Sequence, residues 1–588
     1  LFKHMKHFKF MLTGMSALSL LALSSCMDDA YDLSDIDTTA RLQVKELTIP
    51  LNLDHITLEQ IINLDESSEI VKETDANGNL IYAIKKEGTF KSDPINVAQF
   101  TTSKPSINPS ITTLYISEDF RLLPDYVPGG ITAYYPITSD RTEFSTQANN
   151  IDKSIKDISK VGVETQISTK IKIKGLSSSL MPHIKFEKVK MKFPKGLEAT
   201  PSMGAYDPAT GILDLSNETI VPDANGEIAI FMNVEAIDAT VGNVVADYEN
   251  HTFNYQDYVQ VTEGQVSIYA DEELPSEITF SQTPNVEPIK VKSFTGEVEY
   301  HVDEFNIDPV KLNDIPDFLN QPGTEIRIDN PQIYLTVSNP MAEYHAYFQT
   351  GFELTSKRNG KSKTYTLDEG IFKTQQTTAD KHTFVLSPKN PSSHFEGYTN
   401  PQWVKFSTLE NILADVDGIP TTIEINAIDP QMPKQAVTDF RLGRKLDAVS
   451  GSYAFYAPFR FKDGSKIIYS DVIDDWNDEE LDKMTISKLV INFDGSTQVP
   501  FDMDLTIKPI DTTGKAIEGV TSTTAKVQSK ANNQPIEIVI EGNITNLDGI
   551  SIDAKVVNVG DDTTLGPEMK LFINNLKAKV TGYYEDEF

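Results

Sequence analysis

The sequence of 588 residues contains one cysteine, Cys26, and two tryptophans, Trp403 and Trp476. Because Cys26 has no partner for an intramolecular disulfide, the folded chain must be stabilised by packing. Basic residues are also scarce: 52 Lys and Arg stand against 86 Asp and Glu, for a formal net charge of −34. Neutralising phosphates requires clustered cations, so this balance excludes nucleic acid as a partner.

Motifs that carry catalysis or bind metals are missing from the sequence. The histidines are scattered and none forms a His-Glu-x-x-His arrangement, so no zinc site is predicted. The nearest string to a nucleophile elbow, Val449 to Tyr453, lacks both flanking glycines. The acidic run from Asp474 to Glu480 lacks the glycine and spacing of an EF-hand loop, which favours a solvated turn. The sequence therefore predicts no cofactor, no metal and no identifiable catalytic residue.

Long apolar runs are absent too, and the N-terminal one is short. It covers about 14 residues from Phe10 to Leu23, whereas a helix that spans a bilayer needs roughly 20. Three lysines precede it and small residues follow, so residues 1–25 are predicted to be a cleaved signal peptide. The string Leu23-Ser24-Ser25-Cys26 resembles the lipobox of bacterial lipoproteins. The resemblance implies a lipid on the Cys26 thiol, cleavage before it and a permanent membrane anchor.

The residues that follow Cys26 are acidic. Asp28 and Asp29 resemble the signal that exports lipoproteins of the Bacteroidetes to the outer face of the outer membrane. The alternative is a solvated acidic tether over residues 26–40, since acidic stretches are commonly linkers. The segment from Tyr31 to Thr39, which leads into strand-like residues, is similar to uncharacterised Bacteroidetes surface lipoproteins. This similarity implies a β architecture and an outer-membrane location that faces the cell exterior, and it implies no particular activity.

Alternation of apolar and polar residues dominates the remainder. It predicts half-buried strands, for example over residues 169–174, 333–337 and 536–540. Clusters of Asp, Asn and Gly at 75–79, 223–226 and 511–514 predict hairpin turns. Short helices are predicted over 57–62, 315–319 and 407–414, the last with Ser407 and Glu410 at the spacing of a capping box.

The predicted fold class is all-β, with tandem β-sandwich modules and a few short helices. The modules are expected to be Ig-like or late-embryogenesis-abundant-like. The second possibility rests on residues 332–340, which resemble the Asn-Pro strand motif of that class. Degenerate similarities about 150 residues apart favour serial modules over one large barrel. The predicted divisions are an N-terminal β region at 41–155, a β-sandwich module at 156–290, a β-sandwich module with short helices at 291–450 and a last β-sandwich module at 451–588.

Aromatic residues are the remaining candidates for a ligand contact, because ring faces stack on sugars and bury large areas. Tyr453 with Phe455, and Phe459 with Phe461, alternate as in a strand that faces a core. Trp476, beside acids and a turn, is the predicted exposed contact. We expect a non-catalytic binding or structural display lipoprotein, with a glycan or a surface protein as its partner. A glycan-active enzyme on a β scaffold and a fimbrillin-like subunit remain alternatives.

Overall fold

The computed structural model describes residues 39–50, 55–62, 64, 69–75, 77–302, 305–312, 315–374, 379–474, 484–560 and 563–587. Nearly all regular structure in these ranges is β, which confirms the predicted fold class. In chain order the strands are β1 Thr39–Pro50, β2 His55–Thr57, β3 Ile70–Thr74, β4 Leu80–Pro94, β5 Phe100–Thr101, β6 Ser106–Ile107, β7 Ser110–Tyr115, β8 Ile131–Pro136, β9 Thr142–Ala148, β10 Ile155–Lys174, β11 Ile184–Lys192, β12 Leu197–Pro201, β13 Ala205–Asp207, β14 Ile212–Leu215, β15 Glu227–Asp238, β16 Val244–Asp247, β17 Thr252–Ala270, β18 Glu277–Val286, β19 Lys290–His301, β20 Phe305–Ile307, β21 Val310–Lys311, β22 Gln332–Ser338, β23 Gln349–Arg358, β24 Lys361–Thr366, β25 Phe372–Lys373, β26 Lys381–Ser387, β27 Gln402–Lys405, β28 Thr422–Arg441, β29 Ala448–Pro458, β30 Lys466–Ile473, β31 Met484–Thr497, β32 Phe501–Asp511, β33 Thr521–Ser522, β34 Ala525–Val527, β35 Gln534–Ile544, β36 Leu547–Asn558 and β37 Lys570–Glu587.

These strands form several sheets, and the described pairs are antiparallel except for β26 with β27. The largest sheet follows the order β12-β15-β10-β19-β28-β23-β24, and an eight-stranded sheet follows β13-β14-β11-β17-β9-β6. A seven-stranded sheet follows β20-β4-β29-β22-β26-β27, with β3 on β4. The order of the last two sheets is β1-β37-β31-β35-β33, with β2 on β37, and β30-β36-β32-β34.

Alternation places one face of each long strand in a hydrophobic core. In β10, Ile167, Ile171 and Ile173 are buried, while the lysines between them point outward. Each such side chain contributes roughly 1.5–3 kcal/mol when it leaves water. One large core joins the first three sheets, and a second core lies between the last two. The strands predicted at 169–174, 333–337 and 536–540 are confirmed within β10, β22 and β35.

The hairpin turns predicted from Asp, Asn and Gly are confirmed. At the first turn, the Asp75 carboxylate accepts the backbone N–H groups of Asn77 and Asn79, each at 2.8 Å. Asp223 and Asp511 accept backbone N–H groups in the same way at the other two turns. Gly78 has a φ of 84°, in the region that favours glycine, so the turn can close without strain.

The helical segments are short, as predicted. They are α1 Leu58–Ile61, α2 Glu118–Arg121 and the 3₁₀ turns Leu123–Tyr126, Met181–His183, Asp317–Asn320, Ala342–Tyr344 and Ser407–Asn411. The capping box predicted at Ser407 and Glu410 is wrong. Phe406 holds the N-cap position, the Ser407 hydroxyl donates to Asp368 at 2.6 Å, and Glu410 pairs with Lys462 at 2.6 Å. Within the described ranges, no helix has the length and apolar character needed to cross a bilayer.

Strand pairing joins segments that are far apart in the chain. β4 pairs with β29 along ten residues, and β1 pairs with β37. The predicted division points at 155, 290 and 450 coincide with the start of β10, the start of β19 and the interior of β29. The division points themselves stay predictions.

Candidate functional site

The residues with specific predicted roles lie outside the described ranges. They are Cys26 with its lipid anchor, the export-signal residues Asp28 and Asp29, and the ligand-contact candidate Trp476. Their roles therefore stay predictions. By contrast, Tyr453, Phe455, Phe459 and Phe461 are all buried, which confirms that this aromatic segment packs in the core.

The cavity that lies between two sheets of the described part of the chain is small. A cavity of about 20 Å³ lies between the first two sheets, and its lining is apolar: Ile137, Ile171, Phe186, Val189, Ile220, Ile228, Ile230 and Val261. A cavity of this size has room for about one water molecule, and apolar walls disfavour even that. Among the described residues, no group of three or more His, Cys, Asp or Glu is placed to hold a metal ion.

A group of five side chains, which we call the aromatic cluster, packs on the outer face of the seven-stranded sheet around the buried ring of Tyr334. Tyr334 is at its centre, with ring centroids 4.8 Å from Tyr398, 6.0 Å from Phe395 and 6.3 Å from His394. The Tyr456 ring, on the neighbouring strand β29, lies 5.5 Å from the Phe395 ring with the two planes inclined by 38°. Such ring pairs contribute about 0.5–1.5 kcal/mol beyond their buried area.

Strand register brings these residues together. Tyr334 in β22 pairs with Ala454 in β29 on one side and with Val385 in β26 on the other. These small or apolar side chains leave a flat outer surface, and the segment 388–401 folds back onto it through Phe395 and Tyr398. Because this segment covers the outer face, β22 is buried on both faces along residues 332–335, unlike the half-buried strand that alternation predicted.

Hydrogen bonds fix the centre of the aromatic cluster. The Tyr334 hydroxyl donates to the Gln332 side chain at 2.5 Å and accepts the backbone N–H of Phe395 at 3.1 Å. Burial raises the pKa of Tyr398, while hydrogen bonding to the side chains of Ser452 and Thr336 acts in the opposite direction. The tyrosine hydroxyls are therefore neutral hydrogen-bonding groups at physiological pH.

One side of the cluster is charged. Lys85 lies over the Phe395 ring, with its ammonium 4.9 Å from the ring centroid, and also pairs with Glu73. Burial raises the pKa of Tyr456, and the nearby Glu73 carboxylate raises it further. The Lys85 ammonium thus makes a cation–π contact with the Phe395 ring and an ion pair with the Glu73 carboxylate.

Trp403 lies beside this cluster on the edge strand β27, directly across from Val385. Its indole N–H donates to the hydroxyl of Ser387 at 3.2 Å and to the carbonyl of Ser387 at 3.3 Å. The side chain is 37% exposed, so part of the ring remains open to solvent while the polar edge is fixed. The half-buried hydroxyls of Thr336, Thr383 and Ser452 lie on the same face of the sheet. An aromatic surface beside fixed hydroxyls can stack against a sugar ring and hydrogen-bond to it.

Sequence reasoning favoured Trp476 and gave no role to Trp403, Phe395 or Tyr398. A signal for them was present in the sequence. Residues 388–403 interleave three prolines with Phe395, Tyr398 and Trp403, and this composition is unusual for a solvated loop. Loops carry binding residues disproportionately, so Phe395 and Tyr398, in the loop that leads into Trp403, were candidates for a site.

Comparison with known proteins gives no family assignment. No protein-family model and no curated protein matches the chain. Among solved structures, a candidate secreted protein from Parabacteroides distasonis matches with a TM-score of 0.34 and 15% identity, over 50% of this chain and 90% of that one. A triple jelly-roll protein of an archaeal virus turret matches at a TM-score of 0.11 and 11% identity, over 80% and 95% of the two chains. PNGF-II matches at a TM-score of 0.13 and 8% identity, over 84% and 98%.

Proposed function

We propose that this protein is a lipoprotein anchored through Cys26 in the outer membrane, facing the cell exterior, and that it binds a glycan without catalysing a reaction. Its leader, the lipobox-like string before Cys26 and the acidic pair Asp28 and Asp29 support the anchor and its location. The observation that carries the binding role is Trp403, an exposed indole ring fixed next to the aromatic cluster.

A glycan fits the chemistry of this surface better than an ionic ligand does. The exposed aromatic ring of Trp403 offers a stacking face, and the hydroxyl of Thr383 offers a donor and an acceptor beside the hydroxyls of Thr336 and Ser452, which bond to Tyr398. Lys85, whose ammonium lies over the Phe395 ring, is already paired with Glu73. An anionic ligand would have to compete with that carboxylate, so we commit to an uncharged oligosaccharide.

The binding role is tested with the full lipidated chain in detergent, applied to an array of neutral oligosaccharides. We expect Trp403→Ala to abolish retention and Trp403→Phe to keep part of it, because a phenyl ring still stacks. Tyr115→Ala is the matched control, since Tyr115 is a 75% exposed aromatic residue on another sheet. Retention by Trp403→Ala equal to that of the unmodified protein would overturn the assignment, and retention of surface proteins alone would favour a protein partner.

The anchor has an independent test. Cells that produce the protein are fed labelled palmitate, and the label is followed on the full chain and on Cys26→Ser. We expect the label to disappear in Cys26→Ser and the protein to leave the membrane fraction. Replacing Asp28 and Asp29 with Asn should protect the protein from protease added to intact cells. Label on Cys26→Ser, or unchanged protease sensitivity, would contradict the anchor or the export signal respectively.

A further inference from the structure

The last two sheets form a sandwich of their own, which we call the C-terminal sandwich. One sheet is β1-β37-β31-β35-β33 and the other is β30-β36-β32-β34. Ile538, Ile540 and Ile552 belong to the second hydrophobic core that lies between them. The N-terminal strand β1 is therefore part of the same structural unit as β37.

The strands of this sandwich run lengthwise between two ends. At one end, which we call the tip, Thr39 pairs with Glu587 and Met484 pairs with Tyr584. At the other end, which we call the junction, Thr497 pairs with Leu571 and Phe501 pairs with Asn558. The chain thus enters the fold at the tip and follows β1 toward the junction.

The junction attaches the sandwich to the large core. The Leu565 carbonyl accepts the backbone N–H of Tyr82 at 2.9 Å, and the Leu565 N–H donates to Phe459 at 2.9 Å. The rings of Phe501 and Phe461 stack here, and Val499 and Phe501 are members of the large core. The rest of the body, including the aromatic cluster, therefore lies beyond the end of the sandwich that is opposite the tip.

Strand length sets the separation of the two ends. β31 contains 14 residues, and at about 3.3 Å per residue it spans roughly 45 Å from the tip to the junction. Twelve residues separate Cys26 from Thr39, and a chain of that length reaches at most about 43 Å when fully extended. The anchor therefore reaches the tip easily, whereas the large core is a further sandwich length away.

We propose that the C-terminal sandwich is a membrane-proximal pedestal, whose tip faces the lipid surface and which holds the large core and the aromatic cluster away from the membrane. This inference rests on the lipid anchor at Cys26 proposed above.

The arrangement can be measured by energy transfer to the membrane. Because acylation occupies the single native thiol, an introduced cysteine can be labelled selectively. We choose Leu42→Cys near the tip, Asn532→Cys near the junction and Ser393→Cys beside the aromatic cluster, all at exposed positions. The labelled full chain is inserted into phosphatidylcholine vesicles that contain a lipid with an acceptor dye on its headgroup.

We expect transfer to be strongest from Leu42→Cys, intermediate from Asn532→Cys and weakest from Ser393→Cys, with a fall of about twofold or more across the roughly 45 Å of the sandwich. Equal transfer from the three positions, or stronger transfer from Ser393→Cys, would overturn the pedestal while leaving the anchor intact. Failure of the chain to float with the vesicles, with Cys26→Ser behaving identically, would overturn the anchor and the pedestal together.

Discussion

Phe461 and Phe501 stack across the junction between the large core and the C-terminal sandwich, with ring centroids 5.9 Å apart and planes inclined by 27°. Both rings are buried. Phe461 follows β29 in the seven-stranded sheet, and Phe501 begins β32 in the C-terminal sandwich. The contact therefore couples the stability of two structural units that have separate cores.

Truncating this contact should be costly. We expect Phe501→Ala to lower the free energy of unfolding by about 3–5 kcal/mol, because a large buried ring leaves a cavity that the sheets cannot close. Phe501→Leu should lose less, about 1.5 kcal/mol or under, since most of the volume is kept. Urea unfolding measures both. A change below about 1 kcal/mol for Phe501→Ala would mean that the junction is not a rigid coupling, given that surface changes stay within about 0.5 kcal/mol.

Gly451 in β29 should tolerate no side chain. A Cβ atom at this position would lie 1.8 Å from the Thr336 carbonyl oxygen and 2.5 Å from the Phe90 ring. β29 lies between β4 and β22, so its backbone cannot move away. We expect Gly451→Ala to destabilise by about 3 kcal/mol or more, as overpacking does. The matched control is Gly495→Ala in β31, where the nearest atom is 3.6 Å away. Equal thermal stability of the two variants would contradict the prediction.

The segment 388–401 should be released without global unfolding. Phe395→Ala removes the ring that contacts Tyr334, Tyr456 and Lys85. This small cluster is separate from the large core, so its loss affects local opening rather than the whole fold. We expect faster amide hydrogen exchange in 388–401 and an unfolding midpoint close to the original. Glu396→Ala, at an exposed neighbour, should change neither. A large drop in the midpoint for Phe395→Ala would show that the segment is part of the global unit.

Asp257 should weaken the fold at neutral pH. Its side chain is buried on the inner face of β17, and burial raises its pKa despite a 2.8 Å hydrogen bond from the Tyr258 N–H and the positive charges of Lys192 and Lys195. The buried Tyr255 and the half-buried Tyr206 are also close enough to interact with it electrostatically. A raised pKa in the folded state means that stability is highest below the unfolded pKa and is lost as the pH rises through the folded pKa.

We therefore expect Asp257→Asn to raise the free energy of unfolding at pH 7, by about 1.4 kcal/mol for each unit of the shift, and to change little at a pH below the unfolded pKa. Thermal unfolding at the two pH values measures this. Asp223→Asn is the opposite control. The backbone N–H of Glu227 lowers the pKa of Asp223, so this variant should lose stability at pH 7 and not in acid. A gain for Asp257→Asn that is the same at both pH values would rule out ionisation as the cause.

Local signals in the sequence predicted the strands and turns well. The alternating burial around Ile171 and the hydrogen bonds of Asp223 in its turn depend on residues that are only a few positions apart. A short stretch of sequence is therefore enough to specify them. At Ser407 the local signal gave a wrong prediction. Its spacing to Glu410 fits a capping box, but Asp368, 39 residues away, accepts its hydroxyl and its backbone N–H instead.

The candidate site could not be derived in this way. Tyr334 is on the outer face of its strand, where alternation predicts exposure, and it is fully buried because the segment 388–401 folds over it. That burial depends on a register of β22 with β26 and β29 that leaves no local trace in the sequence. Tertiary contacts therefore decided which aromatic residues are buried and which, like Trp403, keep an open face.

The pairing of β1 with β37 also governs the order in which this protein can mature. The Thr581 hydroxyl donates to the Lys45 carbonyl across a sequence separation of 536 residues. At about 5–20 residues per second, synthesis delivers β37 roughly half a minute to two minutes after β1. Until then β1 is a strand without its neighbour, a state that invites pairing with other chains. The tip of the C-terminal sandwich is thus the last part to close, and a prematurely terminated chain would leave that end open to chaperones and proteases.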